Sequence, residues 1–263
     1  MKSGEEIVKV LLTHDVDWPL HGPGIEHILA RRDRFDSETV LKVVREGYNP
    51  YFNIPELLSF EESYGVRSTF FFRYMYDDGT SIESYKEVLK ELVNGGWEVG
   101  VHINDASTLE SIIFEKKVVE NVAETSIYGS RVHNLNIEFK NLPLLYKAGL
   151  IYDSSITFNK YDVDVRNTGY LIINGLIVFP ITIMDAYLFT YMKISEDKII
   201  DVVDKALKTA VERGYMTILW HDCSLKMKGG RMYPKILEFL ASKDNLGIVR
   251  GIDAYRIVRR GLK

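Results

Sequence analysis

The segment Leu11-Leu12-Thr13-His14-Asp15-Val16-Asp17-Trp18 ends an apolar run, Ile7 to Leu12, in two carboxylates. The run reads as a buried strand. On an extended backbone, side chains two apart share a face, so Asp15 and Asp17 converge at the strand's C-terminal end. Like charges held close raise one another's proton affinity. A cation between them, or the role of base for one of them, accounts for the pair, and either points to a hydrolytic site. A solvated Asp-rich turn is the bland alternative for a bare Asp-x-Asp.

Bulk properties narrow the field. The 263 residues suffice for one large α/β domain or two small ones, and 46% are hydrophobic, enough for a full core. A net charge of −4 gives no case for nucleic acid or an anionic membrane surface. One cysteine, Cys223, excludes an intramolecular disulfide and fits a reducing compartment. Met1 to Glu6 is polar and reads as no secretory signal, so a soluble, cytoplasmic protein is expected. Tyr170 to Phe189 has the apolarity of a membrane span, but it holds Asn174-Gly175 between β-branched runs. That is a hairpin signal, and two short strands are expected there.

Short apolar strands alternate with amphipathic helical stretches. The expected strands are Ile7-Thr13, Arg67-Arg73, Trp97-His102, Ile127-Arg131, Leu150-Asp153, Ile177-Pro180, Met216-His221 and Gly247-Arg250. Helical patterns cover Ser81-Asn94, Ser107-Glu124, Ile137-Lys147, Glu196-Arg213 and Tyr233-Ser242, several closed by a following glycine. This alternation argues for a mostly parallel sheet with helices outside, in one domain spanning 1–263. The exception is a long insertion at about 19–64 between the first two strands. It carries His21, His27, the run Arg31-Arg32-Asp33-Arg34 and an expected helix, Ile54 to Tyr64. The charge run reads as a solvated helix face rather than a ligand site.

Polar residues fall at the strand ends: Asp15 and Asp17, His102, Arg131 and His133, Asp153, Asp185, then His221 and Asp222. In a parallel α/β barrel all strand C-termini open on one face, where catalytic residues gather.

Taken in order, these segments resemble the polysaccharide deacetylase family, carbohydrate esterase family four, with the NodB-homology fold. Thr13-His14-Asp15-Val16-Asp17 resembles its first motif. Ser68-Thr69-Phe70-Phe71-Phe72 resembles its second strand. Gly96-Trp97-Glu98-Val99-Gly100-Val101-His102 resembles the approach to its metal-binding His-x-x-x-His. Gly129 to Leu135 sits at its arginine motif, Gly149-Leu150-Ile151-Tyr152-Asp153-Ser154-Ser155 resembles a common Gly-Phe-x-Tyr-Asp-Ser-Ser, and Leu219-Trp220-His221 resembles its last motif. The resemblance covers almost the whole chain. It implies a distorted (β/α)7 barrel of the polysaccharide deacetylase type and metal-dependent hydrolysis of an N-acetyl group. It makes Asp15 the general base, Asp17 and His102 ligands of a divalent metal, zinc foremost, Arg131 the residue orienting the base, and His221 the general acid. Asp185 is a looser match to the acid that orients His221.

Two departures stand out. Ala106 occupies the position of the second histidine ligand, and His133 that of a proline in the arginine motif. His133 is therefore a candidate third ligand or a residue facing substrate or base, with Asn104 and Asp105 as weaker ligand candidates. Trp18 and Trp220, beside site residues, are candidates to stack on a sugar, and Asp222 is a candidate at the substrate rim. Cys223 has no activating base placed across it, which argues against a nucleophile. The expected function is removal of an N-acetyl group from an N-acetylated sugar or glycan intermediate. The alternatives are a degenerate, non-catalytic glycan-binding member, prompted by Ala106, and a cyclic amide or imide hydrolase on the same fold.

Overall fold

The chain was analysed as a computed structural model that describes residues 8–262. Met1 to Glu6 and Ile7, where the first strand was expected to start, lie outside the described residues.

Strand β1 (Val8–Val16) is the hub. Its N-terminal half pairs with β10 (Leu246–Val249) and its C-terminal half with β2 (Thr69–Phe72) on one edge, while β9 (Tyr215–Leu219) pairs on the other. From β2 the sheet continues in parallel through β3 (Glu98–Ile103), β4 (Gly129–Val132) and β5 (Tyr152–Asp153). The expected hairpin is present. β6 (Leu171–Ile173) and β7 (Leu176–Val178) pair antiparallel around Asn174 and Gly175, both at positive φ, the backbone of a two-residue primed turn.

One bent run closes the sheet. β7 pairs with β5, and the chain then continues through Pro180 into β8 (Ile183–Met184), which pairs with β9. Counting Leu176–Met184 as one stave, the barrel has seven: β1, β2, β3, β4, β5, the bent run and β9. This is the expected distorted (β/α)7 architecture.

Period-two alternation divides the core. Leu12, Phe70, Phe72, Val101, Val132, Ile218 and Trp220 belong to the large cluster between strands and outer helices. Leu11, Phe71, Tyr152, Ile177, Phe179 and Tyr215 fill the barrel interior. The interior is tight enough to require glycine. A Cβ on Gly129 would lie 2.0 Å from the Tyr152 ring, and one on Gly100 2.4 Å from Phe71.

The expected helices are present with shifted ends: α4 (Lys86–Gly95), α5 (Leu109–Ala123), a shortened α6 (Leu142–Lys147), α7 (Ile199–Ala210) and α8 (Tyr233–Ala241). The insertion between β1 and β2 holds α1 (Ile25–Ala30), α2 (Ser37–Glu46) and the expected α3 (Ile54–Ser63). A helix absent from the sequence expectations, α9 (Gly251–Gly261), covers the barrel's N-terminal end. There the buried Glu98 accepts hydrogen bonds from the Ile252 N–H at 2.9 Å, from Thr69 at 2.7 Å and from Tyr152 at 2.8 Å. A carboxylate at a helix N-terminus satisfies N–H groups left without intrahelical partners. Among the described residues no helix is long and apolar enough to cross a membrane.

Candidate active site

The alternation that sorts the core also builds the site. Leu11 faces the barrel interior, so Thr13, Asp15 and Asp17 follow on the same side, and His14 and Val16 face the helices. By the same parity His102 of β3 and Arg131 of β4, paired in register, point inward at the C-terminal mouth. His133, one step beyond the end of β4, joins them.

Asp15 is buried. Arg131 Nη1 donates to its Oδ1 at 2.9 Å and to Thr13 Oγ1 at 2.9 Å. Two further guanidinium donors are held: Nε reaches the Ser154 carbonyl at 2.7 Å and Nη2 reaches Ser154 Oγ at 2.8 Å. The guanidinium also lies over the Phe71 ring, 4.7 Å from its centroid. An arginine anchored on Thr13 and Ser154 as well presents a fixed, charge-assisted donor to Asp15.

Asp17 sits two residues on, among three imidazoles. His102 Nε2 is 3.1 Å and His133 Nδ1 3.4 Å from Asp17 Oδ1, and His221 Nε2 is 3.5 Å from Oδ2. Burial alone would raise the Asp17 carboxyl. Hydrogen bonds from His102 and His133, with the charge of His221, hold it well below the usual carboxylate range.

Asp17, His102 and His133 offer donor atoms that all lie within 4.8 Å of one another. The two ring nitrogens are 3.1 Å apart. Ligands on a tetrahedral ion with bonds of about 2.0–2.1 Å stand about 3.3 Å from each other, so the observed spacings fit one small cation. The other nitrogen of His102, Nδ1, lies 3.0 Å from the Arg131 carbonyl. With a cation in place of the Nε2 proton, a proton held on Nδ1 would leave the Nε2 lone pair toward the cluster, the outer-shell arrangement of metal-binding histidines. Asn104 and Asp105 do not join the cluster. The Asn104 side chain bonds Arg73 and the Met75 carbonyl, and Asp105 bonds Ser107 and Ser111. Ala106 is buried in the outer core.

His221 closes the mouth from β9. Its Nδ1 is 2.7 Å from Asp185 Oδ1, and its own N–H donates to Asp185 Oδ2 at 3.0 Å. Burial disfavours charge on this ring. The Asp185 carboxylate, with Asp17 and Asp15 behind it, outweighs burial and pushes the imidazole up to about 10.

The three expected substrate contacts fare differently. Trp18 is half-buried and lines a cavity of about 470 Å³ that opens onto Asp17, Asp185 and His221. Trp220 is fully buried among the outer helices, and its Nε1 donates to the Gly230 carbonyl at 3.0 Å. With His221 pointing inward its neighbour must point outward, so Trp220 offers no face to a ligand. Asp222 is also buried rather than at a rim. Burial, with the nearby Asp17 charge, pushes its carboxyl well above the usual range. Cys223 is buried and its thiol is likewise pushed up, so it stays protonated. Arg73 and Ser154 lie in segments the sequence singled out, an expected strand and the 149–155 motif, but neither was expected to support the site. Arg73 is buried and spans Asn104 and Asp77 beside the end of β1.

No protein-family profile and no curated protein sequence matches the chain. Solved structures do. A protein described as a polysaccharide deacetylase from Mycobacterium smegmatis superposes with a TM-score of 0.70 at 17% identity, over 100% of this chain and 93% of its own. Another described in the same terms, from Pseudomonas aeruginosa, gives 0.66 at 14% identity over 98% and 92%. A pseudoenzyme of carbohydrate esterase family four from Bacillus anthracis gives 0.56 at 11% identity over 95% and 66%. The chain therefore has the fold of the polysaccharide deacetylases of carbohydrate esterase family four.

Proposed function

We propose that this protein is a metal-dependent deacetylase that removes the N-acetyl group from an N-acetylated sugar or glycan intermediate. The observation that carries this is one barrel mouth holding both a three-donor cluster, Asp17–His102–His133, and two differently held acid–base groups, Asp15–Arg131 and His221–Asp185. His133 supplies the donor that Ala106 lacks, which favours an active enzyme over a degenerate binding protein.

A divalent cation in that cluster, zinc by its donor set, supplies Lewis acidity toward an acyl oxygen. Asp15, positioned by Arg131, accepts a proton from the attacking water. His221, kept charged by Asp185, donates a proton to the departing amine nitrogen. Acetate release from N-acetylated sugars by zinc-loaded protein tests the assignment. Release should disappear in Asp15→Asn while bound zinc persists. Activity in Asp15→Asn within about tenfold of wild type, about 1.4 kcal/mol of barrier, would remove Asp15 as the base.

A further inference from the structure

The same cavity has a strongly basic wall. Arg31 and Arg34 from the insertion and Lys228 from the loop after β9 line it, together with Trp18, His27 and Tyr51. The two segments are tied together. The Lys228 backbone N–H donates to the Arg34 carbonyl at 2.7 Å, and Lys228 Nζ donates to the Asp33 carbonyl at 2.8 Å. Nearby cations are neutralised: Lys42 pairs with Glu38, Lys226 with Glu56, and Arg231 with Glu196. Among the described residues no carboxylate pairs with Arg31, Arg34 or Lys228. The potential there is felt locally. Burial, then the charges of Arg31 and Arg34, hold the His27 imidazole below its ordinary range. The charge run is thus only partly a solvated face, since two of its arginines line the cavity that opens onto Asp17, Asp185 and His221.

Cations left unpaired along one wall of a cleft focus a positive field that favours an anionic ligand there. We infer that the substrate carries an anionic substituent, phosphoryl or carboxylate, which seats on Arg31, Arg34 and Lys228 while the acyl group lies at the Asp17 end of the same cavity. This rests on the deacetylase reading and narrows its substrate class. The cavity, at about 470 Å³, is within the range of small-molecule sites.

Calorimetric binding of three probes tests it: N-acetylglucosamine, N-acetylglucosamine 1-phosphate and N-acetylmuramic acid. Titrations use zinc-loaded Asp15→Asn protein, so that no probe is consumed. At least one anionic probe should bind about tenfold or more tighter than the neutral sugar. Which one gains identifies the anion as phosphoryl or carboxylate. The advantage should fall to about twofold or less when Arg31→Met, Arg34→Met and Lys228→Met are combined, and should persist in Arg31→Lys with Arg34→Lys. No gain for either anionic probe over the neutral sugar overturns the inference. So does a gain that survives the triple substitution, because the anion then sits on the metal or elsewhere. Acetate release is read separately with Asp15 intact. Tight, cation-dependent binding without release overturns the deacetylase reading and leaves the anion site standing.

Discussion

Asp15 and Asp17 are two residues apart, yet their surroundings give them different work. Asp15 faces a guanidinium anchored by Thr13 and Ser154, and Asp17 faces three imidazoles. Asp15→Asn keeps the shape but cannot take a proton, so turnover should fall by about 10² or more with zinc content unchanged, measured by acetate release and metal analysis on the same sample. In the proposed site His133 takes the place of the donor that Ala106 lacks. His133→Ala should weaken zinc binding at least about tenfold, the scale of losing even an outer-shell partner. Competition with a chromogenic chelator reads this directly, and an unchanged affinity would return His133 to the substrate side.

At the scale of elements, the loops around the mouth are held by buried carboxylates. On the helix-facing side of β1, Glu61 of α3 lies 2.8 Å from His14 Nε2 and accepts from Trp97 Nε1 at 2.7 Å and from Tyr233 at 2.8 Å. His14, adjacent to Asp15 in sequence, is thus a structural residue pinning α3 and α8 to β1. Glu61→Leu strands these partners. It should lower the unfolding free energy by about 3 kcal/mol or more, read by urea titration, and leave zinc affinity per folded molecule intact. Glu115 of α5 accepts from the backbone N–H groups of Asn104 at 2.7 Å and Asp105 at 2.9 Å, fixing the loop after His102. Burial nevertheless pushes its carboxyl up to about 7, above the ordinary 4.5. The folded state then binds this proton more tightly than the unfolded chain does. Its stabilising effect is complete below about pH 4.5 and is lost as pH rises through about 7. Glu115→Gln should flatten that part of the stability profile. Parallel urea midpoints from pH 4.5 to 7.5 that show the same slope in both proteins would refute it.

Across the whole molecule, the donor cluster joins the ends of β1, β3 and β4, so a cation bound there would tie three staves together. A ligand that binds only the folded state stabilises it, by about 2.7 kcal/mol at a hundred times its dissociation constant. Saturating zinc should raise the melting temperature of wild-type protein, and chelator should reverse the gain. An Asp17→Ala, His102→Ala double variant should show no such shift by calorimetry.

Much of this was legible from side-chain order alone. The strand ends, the Asn174-Gly175 hairpin and the polar residues at the mouth are local patterns, because a strand's period of two and a turn's φ requirements act over a few residues. The same period orients Asp15, Asp17, His102, Arg131 and His221 into the barrel. It also turns Trp220 outward, which the sequence expectation overlooked when it placed that residue near substrate because it adjoins His221. Other features depend on contacts between distant segments. The bent run Leu176–Met184 closes the barrel only because β5 and β9 stand on either side of it. His133 meets Asp17 and His102, while Ala106 turns into the core. Arg31 and Arg34 look into the cavity because Lys228, far along the chain, holds their segment over it. Sequence determined which face each strand residue takes. Only the tertiary structure decided which faces meet, since that depends on how packing and hydrogen bonding between remote segments place one element against another.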